Sequence, residues 1–131
     1  MTDAQARFHA HIYFNSASRG AAGVLRDRFA DLQAPGSEPL IRFVGRMVDG
    51  PVGPHPVPQY EVHFSADARA RVIALIEASG LTALVHPLTA DDLADHTTLG
   101  YWIGEPFELD LAVLDPPGSN QGVPRFGLRD F

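Results

Sequence analysis

The stretch Phe8-His9-Ala10-His11-Ile12-Tyr13-Phe14 constrains the fold more tightly than any other part of the chain. In a β-strand, successive side chains point to opposite faces. Phe8, Ala10, Ile12 and Phe14 then make one apolar face that must be buried, and His9, His11 and Tyr13 make the other. Two imidazoles at i and i+2 on one face can converge on a single metal ion or substrate, because neutral imidazole is the commonest protein metal ligand. Four further histidines, His55, His63, His86 and His96, each sit in a distinctive local context.

Composition narrows the chemistry. At 131 residues the chain is expected to form a single domain over 1–131, with a core from about 8 to 114 and a tail over 115–131. A net charge of -6 argues against nucleic acid or an anionic membrane as partner. With no cysteine, disulfides, thiolate metal sites and a cysteine nucleophile are excluded, so any metal must be held by nitrogen and oxygen. Residues 1–7 lack an apolar signal region and no run reaches transmembrane length, so a cytoplasmic location is the expectation.

After the first strand, Asn15 to Ser18 offers helix caps, and apolar Ala21, Val24, Leu25, Phe29 and Leu32 predict a helix over about 19–33. Leu40 to Val48 reads as a second strand. Gly50 to Pro58 carries four prolines and cannot join a central ladder, so it should form a stiff loop that holds His55 between Pro54 and Pro56. Tyr60-Glu61-Val62-His63-Phe64 repeats the alternation of the first strand, with Glu61 and His63 on one face. A second helix is predicted over 66–79 with Gly80 as its left-handed stop, then a strand over 82–86 that Pro87 ends. Asp91, Asp92 and Asp95 read as the acidic first turn of a short helix rather than a calcium loop. Leu109 to Leu114 is predicted as a fifth strand or an extended arm, most economically used to cover one side of the open sheet face or to pair with a second subunit, and the Pro- and Gly-rich tail after it as only partly ordered.

The order β-α-β-β-α-β predicts an α+β fold of the ferredoxin-like type, an antiparallel sheet with both helices on one face and a C-terminal extension. His9, His11, Glu61, His63 and His86 would then share the open face. With the first and third strands taken as parallel, His9, Glu61 and His86 fall at one end, and His11 and His63 about 7 Å further along. Histidines and a carboxylate without a thiol suit Fe(II), Mn(II), Zn(II) or Cu(II). Six candidates exceed the three places of a facial set, so the residues alone leave the ligand set open. Tyr13, Tyr60 and Trp102 are candidates to stack an aromatic substrate. No Walker motif, dinucleotide fingerprint or nucleophile elbow is present.

Several motifs in order carry a resemblance. His9-Ala10-His11-Ile12-Tyr13-Phe14, then Gly53-Pro54-His55-Pro56 with Tyr60-Glu61-Val62-His63-Phe64, then His86-Pro87-Leu88-Thr89, and Asp95-His96-Thr97 leading to Trp102-Ile103-Gly104 resemble the DOPA 4,5-dioxygenase family of the short fungal and bacterial type. That resemblance implies extradiol cleavage of a catechol by O2 at non-haem Fe(II), with Zn or Ni able to occupy the site in a purified protein. For DOPA the product would be 4,5-seco-DOPA. On this reading His11, His63 and His86 are assigned as metal ligands, with His9 or Glu61 as substitutes. His55 and His96 are the acid/base groups, with His9 a further catalytic candidate. Tyr13, Glu61 and Trp102 are the substrate-binding candidates. The implied partners are a small aromatic substrate and O2, and a homodimer is expected because a small open-faced sheet needs cover. The competing reading is a non-catalytic, histidine-rich metal- or small-molecule-binding protein of the same fold.

Overall fold

The computed structural model describes residues 6–33, 40–121, 126 and 127. The elements are β1 (Arg7–Tyr13), α1 (Arg19–Leu32), β2 (Phe43–Val44), β3 (Gln59–Ser65), α2 (Arg69–Ser79, preceded by a 3-10 turn), β4 (Ala83–Pro87), α3 (Asp92–His96) and β5 (Tyr101–Ile103). The class is α+β. One five-stranded antiparallel sheet runs in the order β2-β3-β1-β4-β5, so β1 lies between β3 and β4.

The alternation along β1 and β3 places the core. Ala10 and Ile12 of β1, Tyr60, Val62 and Phe64 of β3, and Ala83 and Val85 of β4 meet Ala22, Leu25 and Phe29 of α1 and Val72 and Ile76 of α2 in one buried cluster. Both helices therefore cover the same face of the sheet. The Tyr60 hydroxyl donates to the Ala22 carbonyl at 3.1 Å, pinning α1 on β3 with a satisfied polar group inside the core. Gly80 ends α2 at φ 75°, the left-handed stop its position predicts. Phe29 has no exposed surface. Phe29→Ala is expected to cost about 3–5 kcal/mol in urea unfolding; a loss below about 1 kcal/mol would place that ring outside the core.

Four expectations change. β1 and β3 are antiparallel, not parallel. The second strand shrinks from Leu40–Val48 to Phe43–Val44 plus a single bridge from Val48 to Gln59. Its backbone turns away at Gly45, which passes so close to β3 that an added Cβ would meet the Glu61 side chain at 2.9 Å and its carbonyl at 3.2 Å. The fifth strand is Tyr101–Ile103 rather than 109–114, where residues 111–113 form only a 3-10 turn. Short apolar runs do not distinguish strand from turn by periodicity, and the free edge of β4 captured the nearer one.

Finally, the sheet face expected to be open, with at most an arm over 109–114 along one side, is covered more widely. The loop to β3, α3 and the segment after β5 fold over it. The Asp110 N–H donates to the Pro54 carbonyl at 2.9 Å, the Asp92 N–H to the Ser119 carbonyl at 3.0 Å, and the Gly127 N–H to His63 Nδ1 at 3.0 Å. The tail is thus held against the domain through Gln121 and again at 126–127; its other residues lie outside those described. Among the described residues, no helix is long and apolar enough to cross a membrane.

Candidate metal centre and its cavity

Directly opposed residues of antiparallel strands share a face. Register therefore sets three imidazoles in a row, His63 of β3, His9 of β1 and His86 of β4, with His11 one step along beside Glu61. His55 arrives from the proline-rich loop, whose tip is closed by mutual backbone hydrogen bonds between Val52 and His55. His96 arrives on α3, capped by the Asp91 side chain accepting from the Ala94 N–H. All six histidines are buried. This register corrects the levels read from the sequence: His9, His63 and His86 are level, and Glu61 stands with His11.

The outer partner of each ring decides what its inner nitrogen offers. His11 Nδ1 lies 3.0 Å from Gln59 Oε1, His86 Nδ1 2.7 Å from the Pro87 carbonyl, and His96 Nδ1 2.8 Å from the Asp92 carbonyl. These partners are oxygen acceptors, so each Nδ1 donates its hydrogen and Nε2 keeps the lone pair. His11 Nε2 and His86 Nε2 face each other at 3.0 Å. Two lone pairs at that distance repel unless a cation stands between them. Two nitrogens about 2.1 Å from one ion at right angles are about 3.0 Å apart, so the pair fits a metal. His9 Nε2 is buried without a hydrogen-bond partner among the described residues, and its donor atom groups with those of His11 and His86 within 4.8 Å.

A second set, His9, Glu61 and His63, meets the same distance limit. His63 belongs to this set and is not grouped with His11 and His86. Its Nδ1 accepts from Gly127, which places its hydrogen on Nε2, 3.5 Å from Glu61 Oε2. Its ring stacks on His9 with centroids 3.7 Å apart. Burial drives the pKa values of His9, His11, His55 and His86 well below the ordinary imidazole value, and neighbouring imidazoles add to the effect. These rings are therefore neutral at neutral pH, the form that binds metal.

A cavity of about 270 Å³ opens onto the cluster. Its walls include His9, His11, His55, His86 and His96, together with Leu88, Asp92, Val113, Asp115, Asn120 and Gln121. Tyr13, Glu61 and Trp102 do not line it. Tyr13 stacks on Trp102 with ring centroids 5.8 Å apart and reaches His55 through its hydroxyl, while Glu61 joins His63. Of the wall formed by residues 113–121, only its start belongs to the arm expected over the face; the remainder, 115–121, is not foreseen from the sequence, since nothing in its polar, Pro- and Gly-rich composition marks it as ordered. It is tied down by Asp95, a fully buried carboxylate. Asp95 accepts from the Thr89 N–H at 2.9 Å, the Thr89 hydroxyl at 2.5 Å and the Asn120 amide at 3.2 Å. Burial raises the Asp95 pKa and these hydrogen bonds oppose the rise. Gln59 is likewise unforeseen, although it keeps the alternation of Glu61 and His63.

Comparison with known proteins converges on one group. Residues 8–113 match the profile of the Dopa 4,5-dioxygenase family. The chain is 38% identical over 112 residues to the DOPA 4,5-dioxygenase of Amanita muscaria, covering 82% of this chain and 49% of that protein. It is 32% identical over 117 residues to an uncharacterised 21.2 kDa protein of Botryotinia fuckeliana, covering 82% and 62%. The chain thus spans about half to three-fifths of the length of these relatives. A crystal structure from Nostoc punctiforme, described as a candidate dioxygenase, superposes with a TM-score of 0.71 at 33% identity, covering 86% of this chain and 96% of that one.

Proposed function

The chain belongs to the Dopa 4,5-dioxygenase family, and from that premise we propose that it is a non-haem Fe(II) extradiol dioxygenase that opens a catechol ring with O2. The observation that carries the proposal is the convergence of the His11 and His86 Nε2 lone pairs at 3.0 Å beside the buried His9, at the floor of a cavity. In this reading His9, His11 and His86 hold the metal, and the place first assigned to His63 passes to His9. Three protein ligands leave open positions, and Fe(II) bound there would supply a centre accessible to both catechol oxygens and O2.

The chain's own groups do the rest. His96 Nε2 carries a lone pair because its Nδ1 hydrogen is committed to the Asp92 carbonyl. It is the base that takes the second phenolic proton of the catechol and returns it to the ring-opened product. His55 is the other acid/base candidate of the cavity wall. The segment over 113–121 limits size: about 270 Å³ lies below the roughly 300–1,000 Å³ of pockets for drug-sized ligands, which favours a single-ring substrate such as DOPA. We read the sheet as a ferredoxin-like arrangement extended by β5. A homodimer belongs to the same proposal, and a light-scattering mass of one chain would remove it.

The test is reconstitution of untagged protein with Fe(II) under anaerobic conditions, followed by L-DOPA and O2 with spectra recorded. The expected result is a yellow product that forms only with iron and is lost on chelation. Stoichiometric iron without product from L-DOPA, protocatechuate or caffeate would favour the binding-protein reading, and absence of bound metal would remove the centre itself.

A further inference from the structure

Tyr13 sits on β1 two residues beyond His11, on the same face. Its ring is packed by Trp102 and edge-on by Phe107, with centroids 5.8 and 5.2 Å away, so the phenol has little freedom. Its hydroxyl lies 2.7 Å from His55 Nδ1. A tyrosine carries its proton at neutral pH, since its ordinary pKa is about 10. Among the described residues that proton has a single acceptor, His55 Nδ1. Were the bond reversed, with Nδ1–H donating, a buried phenolic proton would be left without an acceptor among the described residues, which is costly. The hydroxyl therefore donates, and a neutral imidazole that accepts at Nδ1 carries its hydrogen on Nε2.

His55 thus has the opposite tautomer to its neighbours in the cavity, since His11, His86 and His96 all donate from Nδ1. We infer that Tyr13 is a positioning residue whose hydroxyl holds His55 as the Nε2–H tautomer, so that His55 turns a hydrogen-bond donor rather than a lone pair toward the cavity. One consequence follows from the tautomer without any reaction: although the His55 ring lies 4.1 Å from that of His11, its Nε2 offers the metal no lone pair in this form. The other rests on the proposed reaction. A fixed N–H beside the cluster stabilises a catecholate oxygen through a donor already in place, with no proton transferred, while His96 moves the proton. The two wall histidines, equivalent by residue type, thereby take different roles.

Long-range 1H–15N correlation spectra of histidine-labelled, Zn(II)-loaded protein report the tautomer of each ring without any turnover. The His55 signals are assigned by their absence in His55→Gln. Expected are Nε2–H for His55 in the wild type, and a shift toward Nδ1–H or a mixture of tautomers in Tyr13→Phe, which keeps the ring stacking. If the enzyme reading holds, kcat/KM for the catechol also falls about tenfold in Tyr13→Phe, the size typical of losing an outer partner. His55 found protonated at Nδ1 in the wild type, or unchanged at Nε2 in folded Tyr13→Phe, would overturn the inference. The wild-type spectrum decides the tautomer even if the variant does not fold, and the same spectrum can be recorded on metal-free protein. Failure of catechol turnover leaves the tautomer result standing and counts against the enzyme reading alone.

Discussion

His86→Ala, His11→Ala and His9→Ala are each expected to lower metal affinity by more than about a hundredfold, measured by competition with a chromophoric chelator, whereas His63→Ala is expected to keep wild-type stoichiometry. The contrast follows from tautomers and register together. Gln59, the Pro87 carbonyl and burial without a partner leave His11, His86 and His9 with nitrogen atoms to offer the ion. His63 spends Nδ1 on Gly127, which leaves its hydrogen rather than a lone pair on Nε2, 3.5 Å from Glu61 Oε2. Losing an outer partner of a ligand costs roughly 10–100-fold in affinity or activity, and losing the ligand itself costs more. Gln59→Leu should therefore fall between wild type and His11→Ala. If His63→Ala releases the metal while His9→Ala retains it, the ligand set reverts to His11, His63 and His86.

Metal-free protein is expected to lose stability steeply as the pH falls below about 6.5, read as the urea midpoint between pH 7.5 and 5. The sign follows from linkage. In the folded state the pKa values of His9, His11, His55 and His86 lie well below 6.5, and burial is the largest cause for each. Above about 6.5 both states are neutral and the full stability is present. Below it the unfolded chain binds protons that the folded chain refuses, so stability is lost toward acid. Each histidine contributes a slope of up to about 1.4 kcal/mol per pH unit. Neighbouring rings titrate as a coupled group rather than independently, but even two protons' worth is a large part of the roughly 5–15 kcal/mol that holds a domain together. Asp95 works in the opposite sense, because burial raises its folded pKa above the unfolded one. A flat urea midpoint from pH 7.5 to 5 would show that these imidazoles are not buried and neutral. Bound metal should be released over the same window, since protons compete for its ligands.

Much of the site is legible in the order of residues alone. The two-residue period of a strand determines which side chains share a face, so Phe8 to Phe14 and Tyr60 to Phe64 place His9, His11, Glu61 and His63 together and opposite the core. Helix spacing likewise locates α1 and α2, and the β-α-β-β-α-β order sets the sheet face they cover. Alternation, however, is the same whichever way a strand runs. Antiparallel pairing of β1 with β3, which no local pattern announces, sets His63 rather than Glu61 level with His9 and His86. Only the folded chain brings the Pro-rich loop, α3 and residues 115–121 over that face, because those contacts join segments far apart in sequence. The tautomers are decided there too. Whether a histidine offers a lone pair or a hydrogen depends on the atom beyond its other nitrogen, and Gln59, the Pro87 and Asp92 carbonyls, Gly127 and Tyr13 take those places only through three-dimensional packing. Sequence thus determined the residue types and the face they occupy. The tertiary structure decided which nitrogens meet, since distance and proton placement are properties of neighbours in space.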